Sequence, residues 1–202
     1  MTIYMPSTPG FAGVRFGLET NTQRFTSPLN RSTQRVLLGG ARWTANYTLP
    51  TMNRSDAAKW QAFLMQLEGG VNTFYAHDPD AVHPQGDVSG SAPLVDGGSQ
   101  TGSTLSTDGW KANTLVLKAG DYFTVNSELK MVTANVTSDG SGDATINFKP
   151  ALRTSPSNNA ALNVVKASCE MVLIDDQQTQ WSSGTRLGVY EGITFSAMEA
   201  FS

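Results

Sequence analysis

The densest group of side chains with chemical potential is HDPDAVHPQGD, which gathers His77, Asp78, Asp80, His83 and Asp87. Neutral imidazole beside carboxylate is donor chemistry suited to zinc or manganese. The spacing matches no established ligand set, and a solvated linker between domains accounts for it more simply. A nucleophilic serine would need a base and a Gly-flanked elbow, G-x-S-x-G, and the chain contains no such pentapeptide. Asp139, Ser141 and Asp143 resemble half of a calcium loop, but no bidentate Glu follows, so DGSGD reads as a hairpin turn. Glu170, Asp175, Asp176 and Glu191 could supply paired acids for glycoside hydrolysis, yet no aromatic cluster accompanies them. GGSQTGS at 97–103 lacks the lysine of a phosphate-cradling loop. No catalytic, cofactor-binding or metal residue is therefore assigned, and the chain is not expected to be an enzyme.

Composition narrows the partners. The chain has 202 residues, 15% of them charged, with a net charge of -3 and a pI near 5.3. It lacks a broad positive field for nucleic acid or anionic lipid. Few charges with plentiful Gly, Ser, Thr and Asn suit many short strands joined by tight turns. Cys169 stands alone, which leaves no intrachain disulfide, and reads as a buried apolar side chain. The opening MTIYMPSTPGFAG has neither the basic start nor the apolar run of a signal peptide, so synthesis in the cytoplasm is expected. No segment approaches the length of a membrane span.

The elements that would position any site are mostly strands. Val14, Phe16 and Leu18 alternate with Arg15, Gly17 and Glu19, predicting a strand over 14–25; Trp43, Ala45, Tyr47 and Leu49 do the same in a strand over 35–49. Pro28 and Asn30 break the chain between them, which suggests one extended hairpin. Its stretch Arg35, Val36, Leu37, Leu38 and Gly39 is apolar and then glycine. An exposed apolar edge invites pairing, so either another element or another subunit should cover it. In the second case these five are subunit-interface residues.

One segment reads as a helix, Ser55 to Gly69. Ser55 is the expected N-cap, Asp56 complements the dipole, and Gly69 with Gly70 supplies the stop. Ala57, Trp60, Phe63, Leu64 and Leu67 form one apolar stripe that needs a sheet to cover it. Near Pro79 the composition turns rich in Gly and Pro, marking a domain boundary. About five short strands follow, including AGDYFTV at 119–125, Lys130 to Thr137 and Ala144 to Leu152, and these suit a small closed barrel that the polar break SPSNNA at 155–160 ends. Strands at Val165 to Leu173 and Val189 to Ala197 have no sheet of their own. The economical fold is mainly β: a β-sandwich of residues 1–78 and 158–202 with one helix and a long hairpin, plus an inserted barrel of residues 79–157. Trp43, Trp60, Trp110 and Trp181 read as core anchors.

Four segments carry a family resemblance: RWTANYTLPTMNRSDAAKWQAFLMQLEGGVNTFYAHDP (42–79), QTGSTLSTDGW (100–110), KAGDYFTVNSELKMVTANV (118–136) and ATINFKPALR (144–153). Their order of aromatic strand, W-x-A-F-L helix, Gly-closed turn, A-G-D and P-x-L-R exit resembles the distal tail proteins of long, flexible-tailed bacteriophages. The resemblance implies that the inserted barrel is of oligonucleotide/oligosaccharide-binding type and that the chain assembles as a hexameric ring in the virion tail. It further implies a structural hub between tail tube protein and tail-tip or baseplate hub proteins, with no catalytic residue to carry over. A host-surface glycan-binding module of the tail tip is the alternative, with Trp110, Tyr122 and Phe123 as candidate stacking aromatics. A cell-wall hydrolase using His77 and His83 is a third reading.

Overall fold

The computed structural model describes residues 3–181 and 188–201. The fold is mainly β, with a single α-helix among the described residues. Two compact units are present, one of residues 6–73 and 172–201, the other of residues 3–5 and 74–171. Strands are numbered along the whole chain.

In the first unit β2 (Gly13–Glu19), β5 (Arg42–Thr48) and β17 (Thr194–Glu199) form an antiparallel sheet with β5 in the middle. The sheet thus draws on both ends of the chain. Period-two alternation places Val14, Phe16 and Leu18 on the same face as Tyr47, Ala45 and Trp43, their direct partners, and beside Phe195 and Ala197. The helix α1 (Arg54–Gln66) covers that face: the Trp60 ring lies 5.9 Å from Phe195, and Phe63 lies 6.2 Å from the same ring. Ala57, Trp60, Phe63, Leu64 and Leu67 are all buried, which is the stripe the periodicity predicts. The helix begins earlier than expected. Its N-cap is Asn53, whose Oδ1 accepts the Asp56 amide at 3.0 Å, and Ser55 already lies inside the first turn. The reason is long-range pairing: β6 (Met52–Asn53) is bonded to β16 (Val189–Tyr190), which holds Asn53 extended just where the helix starts. Glu68 and Gly69, both at positive φ, end the helix.

The second unit is built around five strands in the order β11 (Tyr122–Val125), β12 (Glu128–Val132), β14 (Ala144–Lys149), β9 (Thr104–Asp108) and β8 (Leu94–Val95). Both edges of this sheet are bonded by one irregular segment. Asn163 exchanges backbone hydrogen bonds of 2.8 and 2.9 Å with Thr124 on β11, while the Val95 amide of β8 donates to the Ala160 carbonyl at 2.9 Å and Leu162 donates to Pro93 at 2.9 Å. Joining the two edges closes the sheet into a barrel and leaves neither as a template for aggregation. Leu105, Phe123, Val125, Val132, Ile146 and Phe148 fill the interior. A second pair, β10 (Leu115–Leu117) with β13 (Val136–Thr137), adds to the unit, as does β7 (Phe74–Ala76), which pairs with β1 (Ile3–Tyr4) on one side and β15 (Cys169–Leu173) on the other. Because Phe74–Ala76 pairs with Cys169–Met171, this unit is wider at both ends than the 79–157 read from sequence.

Three local readings are corrected. The strands expected over 14–25 and 35–49 are each two strands with an interruption. DGSGD does not join the two strands of one hairpin, since β13 pairs with β10 whereas β14 pairs with β9 and β12. Instead the Asp139 carboxylate accepts the amides of Ser141 and Asp143, at 2.8 and 3.0 Å, and shapes the loop together with the backbone bond from Asp139 to Asp143 at 2.9 Å. Trp43, Trp60 and Trp110 are buried, but Trp181 is 44% exposed and anchors no core.

Candidate subunit interface

Beyond Glu19 and Arg42, where the β2–β5 pairing ends, the hairpin continues as an arm. Its limbs are β3 (Thr22–Thr26) and β4 (Thr33–Leu37), paired in register from Thr22 with Leu37 to Thr26 with Thr33. Every residue of both strands is exposed. At the root, the Leu38 amide donates to the Asn21 carbonyl at 2.8 Å, the Asn21 side-chain amide donates to the Gly39 carbonyl at 3.1 Å, and Gly40 takes φ 91. That joint separates arm from packed sheet, since only glycine adopts such a φ without strain. At the tip, Ser27 donates to Ser32 at 2.9 Å, and the Asn30 side chain accepts the Ser32 amide at 3.0 Å.

All five residues expected at an interface lie here: Arg35, Val36 and Leu37 in β4, and Leu38 and Gly39 in its exit. Val36 is 54% exposed and Leu37 69%. The register divides them, because successive side chains of a strand point to opposite faces. Val36 shares one face with Gln23, Phe25 and Gln34, whereas Arg35 and Leu37 share the other with Arg24 and Thr22. Sequence reasoning missed Phe25, 69% exposed, and Leu29, 96% exposed at the tip. The alternation of Gln23, Phe25 and the intervening Arg24 carried the signal, but only the register shows which β4 residues they join.

Asp78, Asp87, Asp139, Asp175 and Asp176, all considered for catalysis or metal binding, bond backbone amides or a lysine instead. Among the described residues, no group of three or more His, Cys, Asp or Glu is placed to hold a metal ion. Asp78 accepts a hydrogen bond from the Tyr122 hydroxyl at 3.3 Å, and its carboxylate also accepts the Asp80 amide at 3.1 Å. Asp87 pairs with Lys111 at 2.6 Å, and that bond, with those from Ser89, holds its carboxyl far below the usual range. Burial, helped by Lys166, lowers the His77 pKa and so favours the neutral imidazole. The open groove on the other side of the β2–β5–β17 sheet, about 360 Å³, contains Arg15 and Glu19 and neither histidine nor cysteine.

The barrel presents none of the three aromatics considered for glycan stacking. Phe123 is fully buried, while Trp110 and Tyr122 are 5% and 8% exposed. The Trp110 indole donates to the Thr107 hydroxyl at 2.8 Å, and burial together with Asp78 pushes the Tyr122 phenol pKa upward. The A-G-D turn is structural, because the Asp121 carboxylate accepts the amides of Lys118 and Gln85, at 2.7 and 2.9 Å, and so launches β11. In comparisons with known proteins, the sequence matches no family model and no curated protein.

Proposed function

We propose that this chain is a structural protein of a bacteriophage virion, a distal tail protein whose protomers form a ring, hexameric by the resemblance above, between the tail tube and the tail-tip or baseplate hub. One observation carries the reading: an arm of two strands whose every strand residue is exposed, with Phe25, Leu29, Val36 and Leu37 presented to solvent. A ribbon of that kind is marginal alone in water, and its open edges and apolar side chains are stabilised by pairing with another chain. Closed rings arise when one surface patch meets a different patch on the next copy through a rotation that closes. The arm supplies the first patch. In this role no cofactor, nucleic acid or membrane takes part, and the ring resides in the tail of the assembled particle.

Light scattering on the purified protein, with micrographs of any large species, tests the proposal. Rings of several protomers, formed alone or on mixing with tail tube and hub proteins, are the expected result. A strict monomer at high concentration that makes no ring even with those partners overturns it.

A further inference from the structure

The arm carries charge in a pattern distinct from its apolar side chains. Between Thr20 and Ala41 it holds Arg24, Arg31 and Arg35, three of the chain's 14 basic residues and none of its 17 acidic ones. The whole chain is at -3 and the arm at +3, so the remainder carries -6. Arg24 and Arg35 are moreover direct cross-strand partners. Side chains in that relation lie about 5 Å apart at Cβ, and like charges so placed destabilise the ribbon. Neither arginine makes an ion pair among the described residues. The arm therefore tolerates, at its own cost, a doubled positive charge that nothing among the described residues neutralises.

The two faces of the ribbon then differ in kind. Phe25 and Val36 with Gln23 and Gln34 make one face apolar and amide-bearing, while Arg24 and Arg35, flanked by Leu37 and the threonines 22, 26 and 33, make the other cationic. Resting on the ring-forming reading above, we infer that the arm docks by both faces at once, and that the Arg24–Arg35 face is seated on carboxylates of a second copy of this chain. Charge complementarity selects that occupant: the chain outside the arm carries a net charge of -6, opposite in sign to the arm. Guanidinium suits such a seat, because its planar fork bonds carboxylate in a bidentate geometry and keeps its charge at any physiological pH. The contact both neutralises the pair and fixes which way round the ribbon lies, which apolar contact alone does not specify.

The test compares assembly of the full-length protein across salt for three forms: the native chain, Arg24→Gln with Arg35→Gln, and Phe25→Ser with Val36→Ser. All four positions are solvent-exposed, so each variant should melt with the native protein. Native assembly should weaken steeply as sodium chloride rises; the arginine variant should assemble roughly tenfold more weakly and lose most of that salt dependence. The apolar-face variant should fail at every salt. An arginine variant that assembles like the native chain, with the same salt dependence, overturns this inference and leaves the ring reading standing. A native chain that stays monomeric at every salt, alone and with tail partners, overturns both. Co-sedimentation of the native chain, but not the arginine variant, with phosphatidylserine vesicles and no self-assembly would replace the second copy with an anionic lipid surface and overturn the inference.

Discussion

Lys130 is fully buried, and its ammonium lies 2.6 Å from the Glu128 carboxylate, itself 4% exposed. Both belong to the barrel strand β12, whose cross-strand partners Phe123 and Val125 are core residues. Charges are kept in such surroundings only when fully bonded. The carboxylate also accepts the amides of Arg153 and Thr154, at 3.0 and 2.9 Å, and the ammonium donates to the Ala151 carbonyl at 2.9 Å. The pair thereby pins the PALR segment where the chain leaves β14, which gives that part of the sequence a physical reason. Removing one partner strands the other, so Lys130→Met should cost about 3 to 5 kcal/mol in chemical denaturation. Burial alone would raise the Glu128 pKa, but the bonds from Arg153, Lys130 and Thr154 outweigh it and lower it from 4.5. Its contribution is therefore complete above the unfolded value and lost as pH falls through the folded one. Acidifying from about pH 6 to about pH 3 should lower the melting temperature of the native protein more than that of Glu128→Gln; equal slopes would show that the carboxylate is not held in this way.

Among the elements, α1 is the most legible in sequence, because a three- and four-residue apolar repeat with a Gly stop has few other solutions. Its partner is less so. The Trp60 ring contacts Phe11, Phe63 and Phe195, at 5.4, 5.9 and 5.9 Å, and Phe195 comes from the last strand of the chain. Trp60→Ala should then cost roughly 3 to 5 kcal/mol and abolish assembly by unfolding the protomer; retained assembly with unchanged melting would place the helix outside the core. The N-cap falls at Asn53 and not at Ser55 because β6–β16 pairing, a long-range fact, fixes the backbone there. The segment that closes the barrel is invisible in sequence for a related reason. Its residues 159–163 begin with Asn159 at positive φ and alternate only briefly, with Leu162 buried between exposed Ala161 and Asn163, so the segment follows directly on the polar break at 155–160 without the length of a strand pattern.

At the scale of the whole molecule, the class is legible and the division of labour only partly. Strand alternation and turn residues point to a mainly β chain with one helix. The stretch 35–39 stands out as apolar, yet composition cannot reveal that its neighbours in sequence face opposite ways, nor that Phe25 and Arg24 complete the two faces. Pairing register alone carries that information. The fully exposed arm also makes the molecule its own reporter of assembly. Arg24, Arg31 and Arg35 are trypsin sites on a ribbon without packed cover, and Arg31 lies outside the paired strands in the tip turn, at φ 57, where nicking concentrates. Brief digestion of the free chain should cut first at Arg31 and spare the sheet and barrel. The same bond in assembled protein should persist many times longer; equal rates in the two states would mean that the arm stays uncovered.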